Sequence, residues 1–131
     1  MKLIGQNNST DYFLLPQEII LLKARSSVVK PSIDSVRESL ELNKKISIER
    51  AEPLLLLVQL EGMQRLSKEV RDFLKSEEAK SYDVYIRKSA FVTKSQLSKM
   101  LGNFIIGLHK TNYPLRIFSK EEVARNWLLD S

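Results

Sequence analysis

Pro53 to Leu60 reads PLLLLVQL, an unbroken apolar run rather than an alternating one. Successive side chains of a strand point to opposite faces, so a strand with one wet face alternates apolar and polar residues. A run that is apolar at both parities must be covered on both faces. The middle of a mostly parallel sheet, with helices packed on it, meets that demand. The segment therefore constrains the rest of the chain. Other strands must flank it, and amphipathic helices must cover it.

Helical stripes are present at the right intervals. Ser32 suits an N-cap and Asp34 a first turn, with Ile33, Val36 and Leu40 as the apolar stripe. This stripe weakens after Asn43, which predicts an end near Lys45; Ile46-Ser47-Ile48 is ambiguous. Ser67 caps a second helix with stripe Leu66, Val70, Phe73 and Leu74. Thr93 and Gln96 have the spacing of a capping box, followed by Leu97, Met100, Leu101, Phe104, Ile105 and Leu108 on one helical face. Gly102 and Gly107 each cost about 1 kcal/mol against Ala inside a helix. Gly107 suits the helix end, and Gly102 suits close packing against a strand. Ile106 lies off that stripe and is open to two readings, core residue or contact surface. Ser119 and Glu122 form a second capping box before Val123, Ala124, Trp127 and Leu128, the buried face of a terminal helix.

Strands fall between these helices. Thr10 to Leu15 and Glu18 to Ala24 predict a hairpin around Pro16-Gln17, with proline in the connection where no ladder donor is needed. Ser89 to Val92 and Leu115 to Phe118 are two further short strands. Residues 77–87 fit either period: Ala79, Tyr82 and Ile86 suit a helix, while Tyr82, Val84 and Ile86 suit a strand. A helix is the better fit, because the strand that follows needs a connector. Residues 1–9 read as a flexible lead-in and residues 10–131 as one domain. The order ββαβα(α)βαβα describes a single α/β domain: a mixed, mostly parallel sheet with an N-terminal β-hairpin and helices packed on it.

Composition narrows the chemistry. A chain of 131 residues can bury about two thirds of its unfolded surface and needs no covalent staples. It has no cysteine, which removes disulfides and thiol chemistry and suits a reducing compartment. No apolar run approaches the roughly 20 residues that cross a bilayer, and Met1 to Gly5 lack the apolar core of a signal peptide. A cytoplasmic protein is the expectation. The net charge of +5 is spread over interleaved acids and bases, without the aromatic and basic pattern of a nucleic-acid surface. Nucleic acid is therefore not an expected partner.

No catalytic motif emerges. His109 is the only histidine, so no two-histidine metal site can form. Neither a Walker A loop nor a GxGxxG loop is present. The pairs Glu77-Glu78 and Glu121-Glu122 read as solvated helix faces. No enzyme activity, cofactor or metal is expected. Asn103, Lys110, Asn112 and Arg116 cluster around the loop after the 94–108 helix, beside Phe104 and Ile106. They could orient a polar ligand or partner there; structurally, Asn103 could cap local backbone and Arg116 could pair with a glutamate of the last helix.

The segment LGNFIIGLHKTNYPLRIFSKEEVARNWLL, Leu101 to Leu129, resembles the C-terminal signature of small bacterial SpoIIAA-like proteins of the STAS/SEC14 type. The matching features are Gly102-Asn103-Phe104, Lys110, Pro114 to Phe118, and Glu121 to Trp127. With the element order of the first half, the resemblance spans residues from about 10 to 130. It implies a domain of a non-enzymatic or uncharacterised kind whose relatives bind protein partners, with some thought to bind lipids or nucleotides. Anti-sigma-factor antagonists of this type carry an Asp-Ser-Ser-Gly-like phosphorylation motif at the helix after the central strand. Here that stretch is Leu66-Ser67-Lys68-Glu69-Val70, with Lys68 or Glu69 at the phosphorylated position, so the phosphoswitch does not carry over. Ser67 is the one hydroxyl there that could take a phosphate, and a plain N-cap is its other reading.

The expectation from sequence is thus a non-catalytic STAS-like domain that acts by protein–protein interaction, with itself or another chain. The alternative is a small apolar ligand or lipid held between the 94–108 helix and the sheet. Phe104, Ile106, Asn103, Lys110 and Arg116 are the candidate surface.

Overall fold

In a computed structural model of the chain, residues 1–7, 10–24, 32–59, 67–96 and 111–130 are described. Six strands form one sheet in sequence order: β1 (Lys2–Gln6), β2 (Thr10–Leu14), β3 (Ile19–Ala24), β4 (Leu54–Gln59), β5 (Ile86–Val92) and β6 (Leu115–Phe118). The first three are antiparallel neighbours, and β3 to β6 run parallel. Among the described residues four α-helices accompany them: α1 (Ile33–Arg50), α2 (Lys68–Leu74), α3 (Glu77–Lys80) and α4 (Glu121–Leu129). The fold is a mixed α/β domain with a mostly parallel sheet, as the apolar run requires.

The run itself becomes β4, and its leucines divide by parity. Leu55 and Leu57 join a core with Leu15, Ile19, Leu21, Ala90, and Ala124 and Leu128 of α4. Leu54 and Leu56 join the opposite core with Tyr12, Ile20, Ile46 and Ile86. Both faces of β4 are therefore dry. Each buried leucine contributes roughly 1.5–3 kcal/mol of transfer free energy.

α1 is fixed against the α2–α3 side by one row of residues spaced three and four apart. Arg37 Nε donates to Glu78 Oε2 at 2.6 Å, the Tyr82 hydroxyl donates to Glu41, and the Lys44 ammonium lies 5.8 Å from the Tyr85 ring centroid. On its buried side, Asn43 Oδ1 accepts from the Tyr12 hydroxyl at 2.7 Å. Ser47 Oγ donates to the Glu52 carbonyl at 2.7 Å. These polar contacts carry α1 past Lys45 to Arg50 and take in Ile46-Ser47-Ile48. The apolar stripe does fade there, but buried, hydrogen-bonded Asn43 and Ser47 take its place.

Several other expectations are corrected. The lead-in at residues 1–9 contains β1, so the predicted hairpin strand β2 is interior and paired on both sides. Backbone pairing makes a strand of Lys2–Gln6 that its short apolar pattern does not announce. Residues 77–87 hold α3, a 3-10 turn at Asp83–Tyr85, and the first residues of β5, which begins at Ile86. The last helix takes Lys120 rather than Ser119 as its N-cap residue, and Val123 is 49% exposed. Thr93 Oγ1 accepts from the Ser95 amide at 3.2 Å, two residues on rather than three. Beyond Gln96, the predicted 94–108 helix lies outside the described residues.

Candidate functional site

Asn103, Phe104, Ile106, His109 and Lys110 lie outside the described residues. So does the wall of any pocket built on residues 97–108. Three residues singled out from the sequence can be placed. Ser67 is the N-cap of α2, its Oγ accepting from the Val70 amide at 3.2 Å. Arg116 lies on β6 with its guanidinium 5.5 Å from the Phe118 ring centroid and 5.9 Å from that of Trp127. Among the described residues these rings take the place of the glutamate expected as its partner. Phe118 and Trp127 themselves stack at 5.5 Å with a tilt of 48°. Asn112 belongs elsewhere: its amide donates to buried Asp83 at 3.0 Å, which ties the loop before β6 to the turn before β5.

Cavities open on the described surface. One, of about 440 Å³, opens at the amino-terminal ends of β4 and β5, beneath the end of α4. Pro53, Leu55 and Leu128 give it an apolar floor, and Gln17, Glu52 and Arg87 reach it from three separate elements. Sequence patterning does not mark this site, because it depends on a β-bulge. Ile86 pairs with Leu54 and Lys88 with Leu55, so Arg87 is the extra residue of β5. In a regular strand Ile86 and Lys88 would share a face. The bulge separates them: Ile86 enters the core with Tyr12 and Ile46, whereas Lys88 passes under α4. Bulges re-aim side chains in this way.

Lys88 is already engaged at the cavity wall. Its ammonium donates to the Trp127 carbonyl at 2.9 Å and to the Asp130 carbonyl, and sits 4.9 Å from the Trp127 ring centroid. It thereby adds a donor to carbonyls at the end of α4, the negative end of the helix dipole. Glu18 pairs with Arg50. Arg50 also lines a second cavity, of about 360 Å³, between α1 and β1 with Lys2, Leu3, Ile4 and Ile46.

Three tyrosines have raised pKa values. The hydrogen bond to Glu41 pushes Tyr82 up to about 12, assisted by burial. Burial raises Tyr12 further, and burial followed by the Asp83 charge raises Tyr113. Each stays a neutral phenol at physiological pH. Among the described residues no cluster of three or more His, Cys, Asp or Glu could hold a metal ion. No described helix is long and apolar enough to cross a membrane.

The chain belongs to the family described as a domain of unknown function, DUF7793, whose model matches residues 12–131. No curated protein matches the sequence. Among solved structures, a protein with unknown function from Arthrobacter sp. FB24 is similar at 16% identity over 96% of each chain, with a TM-score of 0.33. A likeness that slight bears on neither fold nor function.

Proposed function

We propose that this member of the DUF7793 family is a non-catalytic cytoplasmic domain that works by protein–protein contact, and that β1 is the contacting element. The position of β1 carries this reading. It forms one edge of the six-stranded sheet and pairs with β2 on its inner side. An edge strand offers its outer N–H and C=O groups to a further strand, and such edges are commonly blunted by proline, charge or bulges. β1 has no proline and one charged residue, Lys2. A bulge at Ile4 shortens its regular stretch, yet leaves Leu3 50% exposed beside Met1, which is 76% exposed. Strand addition to this edge gives main-chain hydrogen bonds, with Leu3 as the side-chain anchor.

The partner in this reading is a second copy of the chain, joined edge to edge. The resemblance of Leu101 to Leu129 to SpoIIAA-like, STAS/SEC14-type proteins points the same way, since such relatives act on protein partners. Sedimentation velocity across a dilution series tests the proposal. The wild-type chain is expected to dimerise, and Leu3→Lys to shift it to monomer. Val84→Lys, at an exposed apolar residue on a different element, is expected to leave the dimer intact.

A further inference from the structure

We propose that the cavity beneath the end of α4 binds a small zwitterion, a free α-amino acid with an apolar side chain. Its volume of about 440 Å³ lies within the range typical of small-molecule sites, roughly 300–1,000 Å³. Its floor of Pro53, Leu55 and Leu128 suits an aliphatic or aromatic side chain.

The charges on its walls select the headgroup. Lys88 is taken up by the α4 carbonyls, and Glu18 by Arg50. The Arg87 guanidinium and the Glu52 and Asp130 carboxylates remain. Among the described residues, none of these side chains has a hydrogen bond or ion pair. Arg87 is exposed and is the bulged residue of β5, so its guanidinium is carried by a local backbone departure rather than by regular pairing. Its planar fork suits a carboxylate. The Glu52 carboxylate, with Asp130 at the rim, suits an ammonium group. Among the described lining residues, one unpartnered cation and two unpartnered carboxylates beside an apolar floor match a ligand that carries both charges and an apolar tail.

The backbone around the cavity is unusual in the same place. The non-glycine residues with positive φ among those described are Gln17 (66°), Glu18 (66°) and Ala51 (58°). Gln17 and Glu18 line the cavity, and Ala51 immediately precedes Glu52, which also lines it. Such conformations are retained where the surrounding structure over-determines them, and they concentrate at binding sites.

The test uses the whole chain and isothermal titration with L-leucine, L-methionine and L-phenylalanine singly, then N-acetyl-L-leucine and L-leucinamide. At least one free amino acid should bind saturably. If leucine is bound, each blocked analogue should bind at least about tenfold more weakly, because it leaves a charged partner unpaired. If methionine or phenylalanine is bound instead, its own N-acetyl and amide forms replace the leucine pair. Arg87→Gln and Glu52→Gln should each abolish binding while unfolding at the wild-type temperature. Absence of saturable binding for all three amino acids overturns the proposal. So does equal binding of the blocked analogues, or unchanged binding in both folded variants.

Discussion

The Lys88 ammonium lies 4.9 Å from the Trp127 ring centroid and donates to the carbonyl of the same residue at 2.9 Å. One side chain of β5 thus holds both the ring and the backbone at the end of α4. Lys88→Met keeps the apolar stem and removes the charge. It should destabilise the domain by about 1–2 kcal/mol, the combined scale of a helix C-terminal charge and a cation–π contact. Urea unfolding would show this as a lower midpoint at unchanged slope, accompanied by a change in Trp127 fluorescence.

Leu57 and Leu3 separate core from surface. Leu57 is fully buried at the centre of the sheet, whereas Leu3 is half exposed on the edge. Leu57→Ala should cost about 2–5 kcal/mol through lost transfer energy and the cavity left behind. Leu3→Ala should stay within about 0.5 kcal/mol under conditions where the chain is monomeric. Thermal unfolding of the two variants side by side checks the contrast.

The C-terminus of α1 can be improved. Ala51 adopts φ 58° and ψ 33°, its amide donating to Ile48, while the Glu52 amide donates to Ser47. This is a Schellman closure with alanine where glycine is the usual residue. Ala51→Gly relieves a left-handed alanine, which costs roughly 1–2 kcal/mol, at the expense of some chain entropy. A net gain of about 0.5–1 kcal/mol in unfolding free energy is expected.

Stability should fall under alkaline conditions. Tyr82 titrates near 12 in the folded chain against 10.0 for an unperturbed phenol, and burial raises Tyr12 and Tyr113 as well. A raised folded pKa means that the native state holds the proton more tightly. The stabilisation is complete below pH 10 and is lost as the pH rises toward 12. Denaturation midpoints measured from pH 8 upward should decline beyond pH 10, and Tyr82→Phe should flatten part of that decline.

Much of the architecture can be read from residues, for identifiable reasons. The two-parity apolar run of Leu54 to Leu57 is legible because it reports a local demand, cover on both faces. Ser32 and Ser67 are legible because capping is settled within four residues. What escapes is set by distant partners. β1 is a strand because β2 lies beside it, not because Lys2–Gln6 has strand periodicity. α1 continues through polar Asn43 and Ser47 because Tyr12 and the Glu52 carbonyl receive them. The cavity is the extreme case. Its Arg87 reads as one more scattered base, since a bulge is a property of pairing between β4 and β5. Arg116, singled out for its place near a loop, instead faces the Phe118 and Trp127 rings, a geometry set by the packing of α4.

The measurement that bears most directly on the proposed function is native mass spectrometry of the chain and of its Leu3→Lys variant across a dilution series. Contact through the β1 edge predicts a wild-type dimer that dissociates on dilution, and a variant that is monomeric throughout while unfolding at the wild-type temperature. A wild-type chain that stays monomeric at every concentration, or a dimer that Leu3→Lys leaves unchanged, would contradict it.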